Sequence, residues 1–380
     1  MIKIDISNFN HDQLNFMKDK LLDEFYLKIS TKRSKLRHFR CNLKQITKRP
    51  VSIKKNVRDI VEFDFDFEKY QDDYFFYEYI NFSEFYRQTK YLTNKEQREC
   101  YLMRLKEFAE MPDNIGFYSF DHNFQRFIEP SYFMNKINNN DNFKDYIDNE
   151  LFFKIKTINE NFKIFFDYDT FISPIRSRLL NAIGLEVCPY CNETLIHKLP
   201  DRTYADLDHF YSQSNFPLFT LSFNNFIPSC LLCNRTLKKS SITKIMNPRI
   251  EGFEKMAYFR MNNVIELLSY NDVTVDISVA HNTEYLDREK INSSIEMFDL
   301  NNRYNHSDVK KIAKGYFDKT QNNLNEKYRE YIGEIIPYVL QMNEKEYIQY
   351  IFGIDFDETS ILNNRLGKFK LDLINQLTQD

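Results

Sequence analysis

The stretch that decides how this chain is read runs from Cys188 to Lys239: CPYCNETLIHKLPDRTYADLDHFYSQSNFPLFTLSFNNFIPSCLLCNRTLKK. It opens on one Cys-x-x-Cys pair, Cys188 and Cys191, and closes on another, Cys230 and Cys233, with 38 residues between them. Each pair makes a tight turn that presents two thiolates to one ion, and four thiolates complete the tetrahedral shell that zinc prefers. Such a shell has no open position, so the spacing predicts a structural Zn2+ that ties the start of the window to its end. Cys41 and Cys100 are scattered elsewhere and read as ordinary apolar side chains.

Within the clip lie Asp208-His209, then Asn225 sixteen residues on and Asn234 nine further, directly after Cys233. An imidazole, with a reference pKa near ~6.5, suits a general base at neutral pH. A carboxylate and an amide oxygen suit a hard divalent cation that keeps several of its waters. Lys238 and Lys239, a turn beyond Asn234, are candidate phosphate contacts, as are Arg176 and Arg178 on the helical run before Cys188. His197 reads as a surface group, and Asp201 and Asp206 read as solvated loop carboxylates, with a supplement to the metal shell as the alternative.

The pieces LDHF (207–210), NFIPSC (225–230) and CN (233–234) resemble the HNH nucleases of the ββα-metal type. In that family Asp-His ends a first strand. An Asn-apolar-apolar-Pro segment with a Cys forms the second, and Cys-His or Cys-Asn opens a short helix. The likeness covers about 60 of the 380 residues. It implies that His209 is the general base, that Asp208 and Asn234 hold a catalytic Mg2+ or Mn2+, and that Asn225 braces the His-bearing backbone. Asn234 stands where the family most often has a third His. The fuller wording, with DHFY (208–211) and Phe216-Pro217, is similar to the HNH nucleases of bacterial anti-phage systems such as the Septu nuclease subunit, many of which work beside an ATPase. The resemblance therefore implies cleavage of DNA with 5'-phosphate products, and an ATPase subunit as partner. Two other readings stay open: a zinc-stabilised nucleic-acid-binding or adaptor protein without catalysis, and an RNA-cleaving toxin nuclease with the same site.

The rest of the chain bounds the class. A 42% hydrophobic fraction over 380 residues is enough for a buried core. No run approaches the roughly 18 apolar residues of a membrane span, and the first residues carry no signal core. Together with cysteines arranged for metal, this predicts a cytoplasmic protein. A net charge of -3 excludes nucleic-acid binding by bulk electrostatics, so any such contact rests on local patches. Residues 28–58 are strongly basic and residues 59–86 acidic and aromatic, which fits either a phosphate track beside a partner surface or two faces that neutralise each other. No glycine-rich P-loop occurs, which excludes ATP hydrolysis of that kind.

Periodicity predicts a helix from His11, another over 93–110, a third ending before Gly184, and a fourth from Ser307 as N-cap, with Pro337 ending or kinking a later one. Residues 2–6 read as a short strand, and 256–269 with 273–279 as strands with a hairpin turn at Asn262-Asn263. The expected fold is α+β and mostly α-helical. An α-rich region (1–170) precedes a ββα-metal HNH module with structural zinc (171–250), and a small sheet with C-terminal helices (251–380) follows.

Overall fold

Helix α1 (His11–Ser30) forms where Leu14, Met17, Leu21, Phe25 and Ile29 recur at intervals of three and four residues, and all five are buried. Asn10 caps it, its side chain accepting from the Gln13 N–H. The computed structural model describes residues 1–31, 34, 36, 37, 39, 40, 52–65, 152–196, 204–241, 245–262, 273–354 and 364–378. The expected helix over 93–110, the turn at Asn263, Cys41, Cys100, His197, Asp201 and most of the basic and acidic runs lie outside them.

Around α1 pack α2 (Ile53–Val61), α3 (Phe152–Phe165), α4 (Tyr168–Phe171) and α5 (Arg176–Ile183). Their shared core is aromatic: the Phe25 ring stacks on Phe166 at 5.2 Å, and Phe166 on Phe162 at 5.4 Å. Phe63 and Phe65, just beyond α2, are buried at 0% and 1% exposure, so the start of the acidic-aromatic run is core rather than docking surface. In the basic run, Arg58 is neutralised by Asp19 and Glu62. Gly184 ends α5 in the left-handed conformation, at φ 76°, and turns the chain toward Cys188.

Residues 2–6 do not form a strand. The Ile2 and Ile4 N–H groups donate to the carbonyls of Pro189 and Pro248, on two different loops, and Ile6–Asn8 is a 3-10 turn. With no single partner strand, the segment straps the cysteine region instead.

At the centre, β1 (Asp206–His209) pairs antiparallel with β2 (Phe226–Ser229), His209 opposite Phe226 and Asp206 opposite Ser229. Pro228 fits within β2 because a two-stranded ribbon leaves one edge of each strand free of ladder bonds. A π-helical segment, Leu232–Lys238, follows directly. The second ribbon joins β3 (Ala257–Asn262) to β4 (Thr274–Val279), with Asn262 still paired to Thr274, so the ladder runs through Asn262 where the turn was expected.

The C-terminal half is helical: α6 (Tyr285–Met297), α7 (Leu300–Tyr304), α8 (Ser307–Asn323), α9 (Glu326–Ile335), α10 (Tyr338–Gln341), α11 (Glu344–Phe352) and α12 (Gly367–Thr378). His306, not Ser307, is the N-cap of α8, which begins at Ser307 and buries Val309, Ala313, Tyr316 and Phe317. Pro337 separates α9 from α10. Helix α12 seals the edge of β3, because Asp372 accepts the Phe259 N–H and Gln376 bonds both backbone groups of Met261. Among the described residues the fold is thus α+β, mostly helical with two small ribbons. Among the described residues no helix is long and apolar enough to cross a membrane.

Candidate functional site

The four cysteines are brought together: their Sγ atoms lie within 4.8 Å of one another and all four side chains are buried. A tetrahedron with zinc–sulfur bonds of about 2.3 Å has edges of about 3.8 Å, so four thiolates in this arrangement fit that ion. Each pair sits on a tight turn. Asn192 N–H donates to the Cys188 carbonyl with Asn192 itself left-handed at φ 52°, and the Cys233 N–H points at Cys230 Sγ, 3.5 Å away. Burial pushes the Cys188 thiol well above its ordinary range, whereas at Cys191 the neighbouring thiols and the Arg303 charge outweigh burial and pull it down.

Helix α7 backs the cluster. Arg303 donates to Cys233 Sγ at 3.3 Å and to Thr194 Oγ1 at 3.1 Å, and pairs with Glu193 at 2.6 Å, while the Tyr304 hydroxyl donates to the Cys191 carbonyl at 2.7 Å. The Asn192 carbonyl and side chain accept from the N–H groups of Leu366 and Lys368, which docks the start of α12 on the same turn.

His209 closes β1. Its Nε2 lies 3.1 Å from the Thr220 carbonyl, and its ring packs edge-on against Tyr168 at 5.1 Å and Phe226 at 5.0 Å. A carbonyl oxygen only accepts, so Nε2 carries the proton and Nδ1 keeps its lone pair. Burial lowers the imidazole pKa to about 4, the Thr220 bond opposing and the Lys238 charge reinforcing the shift. The residues after His209 are pinned by Asn225, fully buried, whose Oδ1 accepts from Tyr211 N–H at 2.8 Å while Nδ2 donates to the carbonyls of Tyr211 and Phe219 at 2.9 and 3.1 Å. Its neighbour Asn224 turns the other way and donates to the Glu62 and Phe63 carbonyls.

Alternation along β1 sends Asp206 and Asp208 to the face that meets the π-helix, and His209 to the other. The Asp208 carboxylate, 4% exposed, accepts from the Tyr190 hydroxyl at 2.5 Å and pairs with Lys238 at 3.0 Å. Burial raises its pKa despite the Lys238 charge beside it. Lys238 also donates to the His209 carbonyl at 2.8 Å. At 5% exposure it is turned inward, so the expectation of a phosphate contact there does not match its position. The π-helix gives the reason: the Lys239 N–H bonds the Asn234 carbonyl five residues back, one residue more than an α-turn holds, which brings residue 238 under β1.

Asn234 donates through Nδ2 to Asp206 at 3.1 Å rather than meeting Asp208. Arg235 grips the same carboxylate with Nε and Nη2 at 2.7 and 2.8 Å, and Arg176 reaches it at 3.1 Å. Asp206 is therefore no solvated loop residue but a strand residue 4% exposed. Burial works against its ionisation, yet the bonds from Arg235 and Asn234 hold its pKa below the usual value. Lys239 and Arg178 are exposed.

Sequence reasoning passed over Arg235, Tyr190, Tyr168 and Arg303, and read Asp206 as a solvated loop carboxylate. For Asp206 a signal existed, since residues two apart on a strand share a face and Asp206 sits two before Asp208. Arg303 gave none, lying 70 residues beyond the cysteine it touches. No protein-family model, curated protein or solved structure matches the chain.

Proposed function

We propose that this chain is a metal-dependent endonuclease of the HNH kind that hydrolyses phosphodiester bonds in DNA and leaves 5'-phosphates. The observation that carries the reading is His209: a neutral imidazole with Nε2 committed to the Thr220 carbonyl and Nδ1 bearing a lone pair. The order of strand, strand and helix around it, closed by four cysteines, supports the same reading.

In this mechanism Nδ1 takes a proton from a water molecule as its oxygen bonds to phosphorus, and the bond from phosphorus to the 3'-oxygen breaks. The 5'-oxygen stays on the phosphate, which gives the 5'-phosphate end. Asn225 keeps the loop after His209 in register, so that the Thr220 carbonyl holds the ring in this tautomer. Asp208 and Asn234 offer the carboxylate and amide oxygens that suit Mg2+ or Mn2+. A cation held by them would supply a Lewis acid for the leaving oxygen; without it Asp208 is paired with Lys238 and Asn234 with Asp206.

The test is direct. Purified protein with Mg2+ or Mn2+ is expected to cut labelled DNA, and His209→Ala to cut it at least about 100-fold more slowly, the usual size of a lost general base. Equal cutting by both proteins would sink the reading, and binding without cutting by the native chain would favour the zinc-stabilised binding module. Cutting of RNA in preference to DNA would move the substrate to the toxin-nuclease reading. An anti-phage role beside an ATPase rests on the wording of the motif; a chain inert alone and active once mixed with such a partner would support it.

A further inference from the structure

We propose that Arg235 and Arg176, held side by side on the Asp206 carboxylate, form a subsite for a backbone phosphate of the nucleic acid that is cut at His209. The proposal rests on the nuclease reading and adds to it a substrate contact that the motif does not contain. Its basis is a charge imbalance in a fixed place. A single carboxylate, 4% exposed, receives two N–H bonds from Arg235 and one each from Arg176 and Asn234. One carboxylate against two guanidiniums leaves the cluster with a net positive charge.

Neutralisation of Asp206 needs only one arginine, and neither of the two is enclosed. The Arg235 side chain is 64% exposed and that of Arg176 33% exposed. A guanidinium has five N–H donors in a rigid fork, so one that spends Nε and Nη2 on a carboxylate presents the rest outward at a set angle. That is the geometry that recognises phosphate oxygens, with the entropy of placing the side chain already lost in the folded protein.

The cluster is joined to the reacting group through one ring. Tyr168 packs on His209 at 5.1 Å and is close enough to Arg176 and Asp206 to feel both charges, although Asp206 and His209 leave β1 on opposite faces. The arginines therefore address a phosphate of the same strand away from the scissile one.

The experiment is fluorescence anisotropy of a labelled DNA duplex with the full zinc-loaded chain and no added Mg2+ or Mn2+, from about 50 to about 200 mM salt. Arg235→Gln is expected to weaken binding about fivefold and to reduce the slope of log K against log salt by about 0.9, the value of one phosphate contact. Arg235→Lys should keep the slope. Lys311→Gln, an exposed cation on α8, should change neither quantity. An Arg235→Gln chain with native affinity and slope overturns the subsite, as does a native chain that does not bind the duplex. Cleavage separates this outcome from failure of the nuclease reading. Native cutting of DNA by the Arg235→Gln chain refutes the subsite alone, while a native chain that binds with an Arg235-dependent slope and cuts nothing supports the subsite and refutes catalysis. For Asp206 as a positioning residue, Asp206→Asn should bind duplex more tightly, through the lost negative charge, yet cut with lower kcat/KM. A rise in both would show that the carboxylate does not place the arginines.

Discussion

His209 is a weak base because burial strips its charged form of solvent and Lys238 stands nearby, while the Thr220 carbonyl only partly compensates. Its folded pKa of about 4 lies below the ordinary 6.5, so between these values the unfolded chain binds more protons than the folded one. Stability contributed at this position is therefore complete above pH 6.5 and falls as pH drops toward 4. Two outcomes follow. The acidic limb of kcat/KM should lie near pH 4 rather than 6.5, and the stability difference between the native chain and His209→Ala should shrink on acidification across the same window. A limb at 6.5, measured on a short DNA substrate, would mean that the ring titrates as if in water. The identity of His209 was legible because it follows an Asp and sits inside the cysteine clip. Its tautomer was not, because Thr220 is eleven residues away and its carbonyl is placed only by the folded loop.

At the scale of elements, the loop between β1 and β2 is a chain of short-range turn bonds, and the Asn225 side chain ties its end back to its start. Replacing Asn225 with Ala leaves the Tyr211 N–H and the Tyr211 and Phe219 carbonyls without their side-chain partner. Each of these three hydrogen bonds contributes about 1 kcal/mol net, so the expected loss is about 3 kcal/mol in denaturant unfolding. Easier proteolysis between residues 210 and 219 should accompany it. Unchanged stability would mean that water or a rearranged loop takes over all three bonds. The two strands and the helix after them were readable from the motif, but the kind of helix was not. Nothing in LCNRTLK announces a π-turn, and yet that turn decides that Lys238 is enclosed while Arg235 faces outward.

On the scale of the molecule, the cysteine cluster is a junction. Segments near residue 190, residue 230, α7 and the start of α12 meet at it, and with a divalent ion bound Arg303 would offset the surplus negative charge of four thiolates. One zinc per chain is expected by elemental analysis. Cys191→Ser or removal of the metal by a strong chelator should lower the melting temperature of the whole chain. Arg303→Gln should retain zinc but release it to a chelator about 10-fold faster, the lower end of what lost outer-shell partners cost; native release would show that the guanidinium serves only Glu193 and Thr194. The amino-acid sequence by itself determined the four-cysteine set, the Asp-His pair, the helical stripe of α1 and α8, and the alternation of β4, because each depends on spacing over a few residues or on a metal's demand for a fixed ligand set; the strands of the first ribbon were implied by the family resemblance. Only the tertiary structure decided which carboxylate Asn234 meets, which lysine is enclosed, that residues 2–6 strap loops rather than pair in a sheet, and that Arg303 reaches the cysteines. Those outcomes depend on which buried charges find partners across segments tens to hundreds of residues apart, and a linear pattern carries no record of that distance.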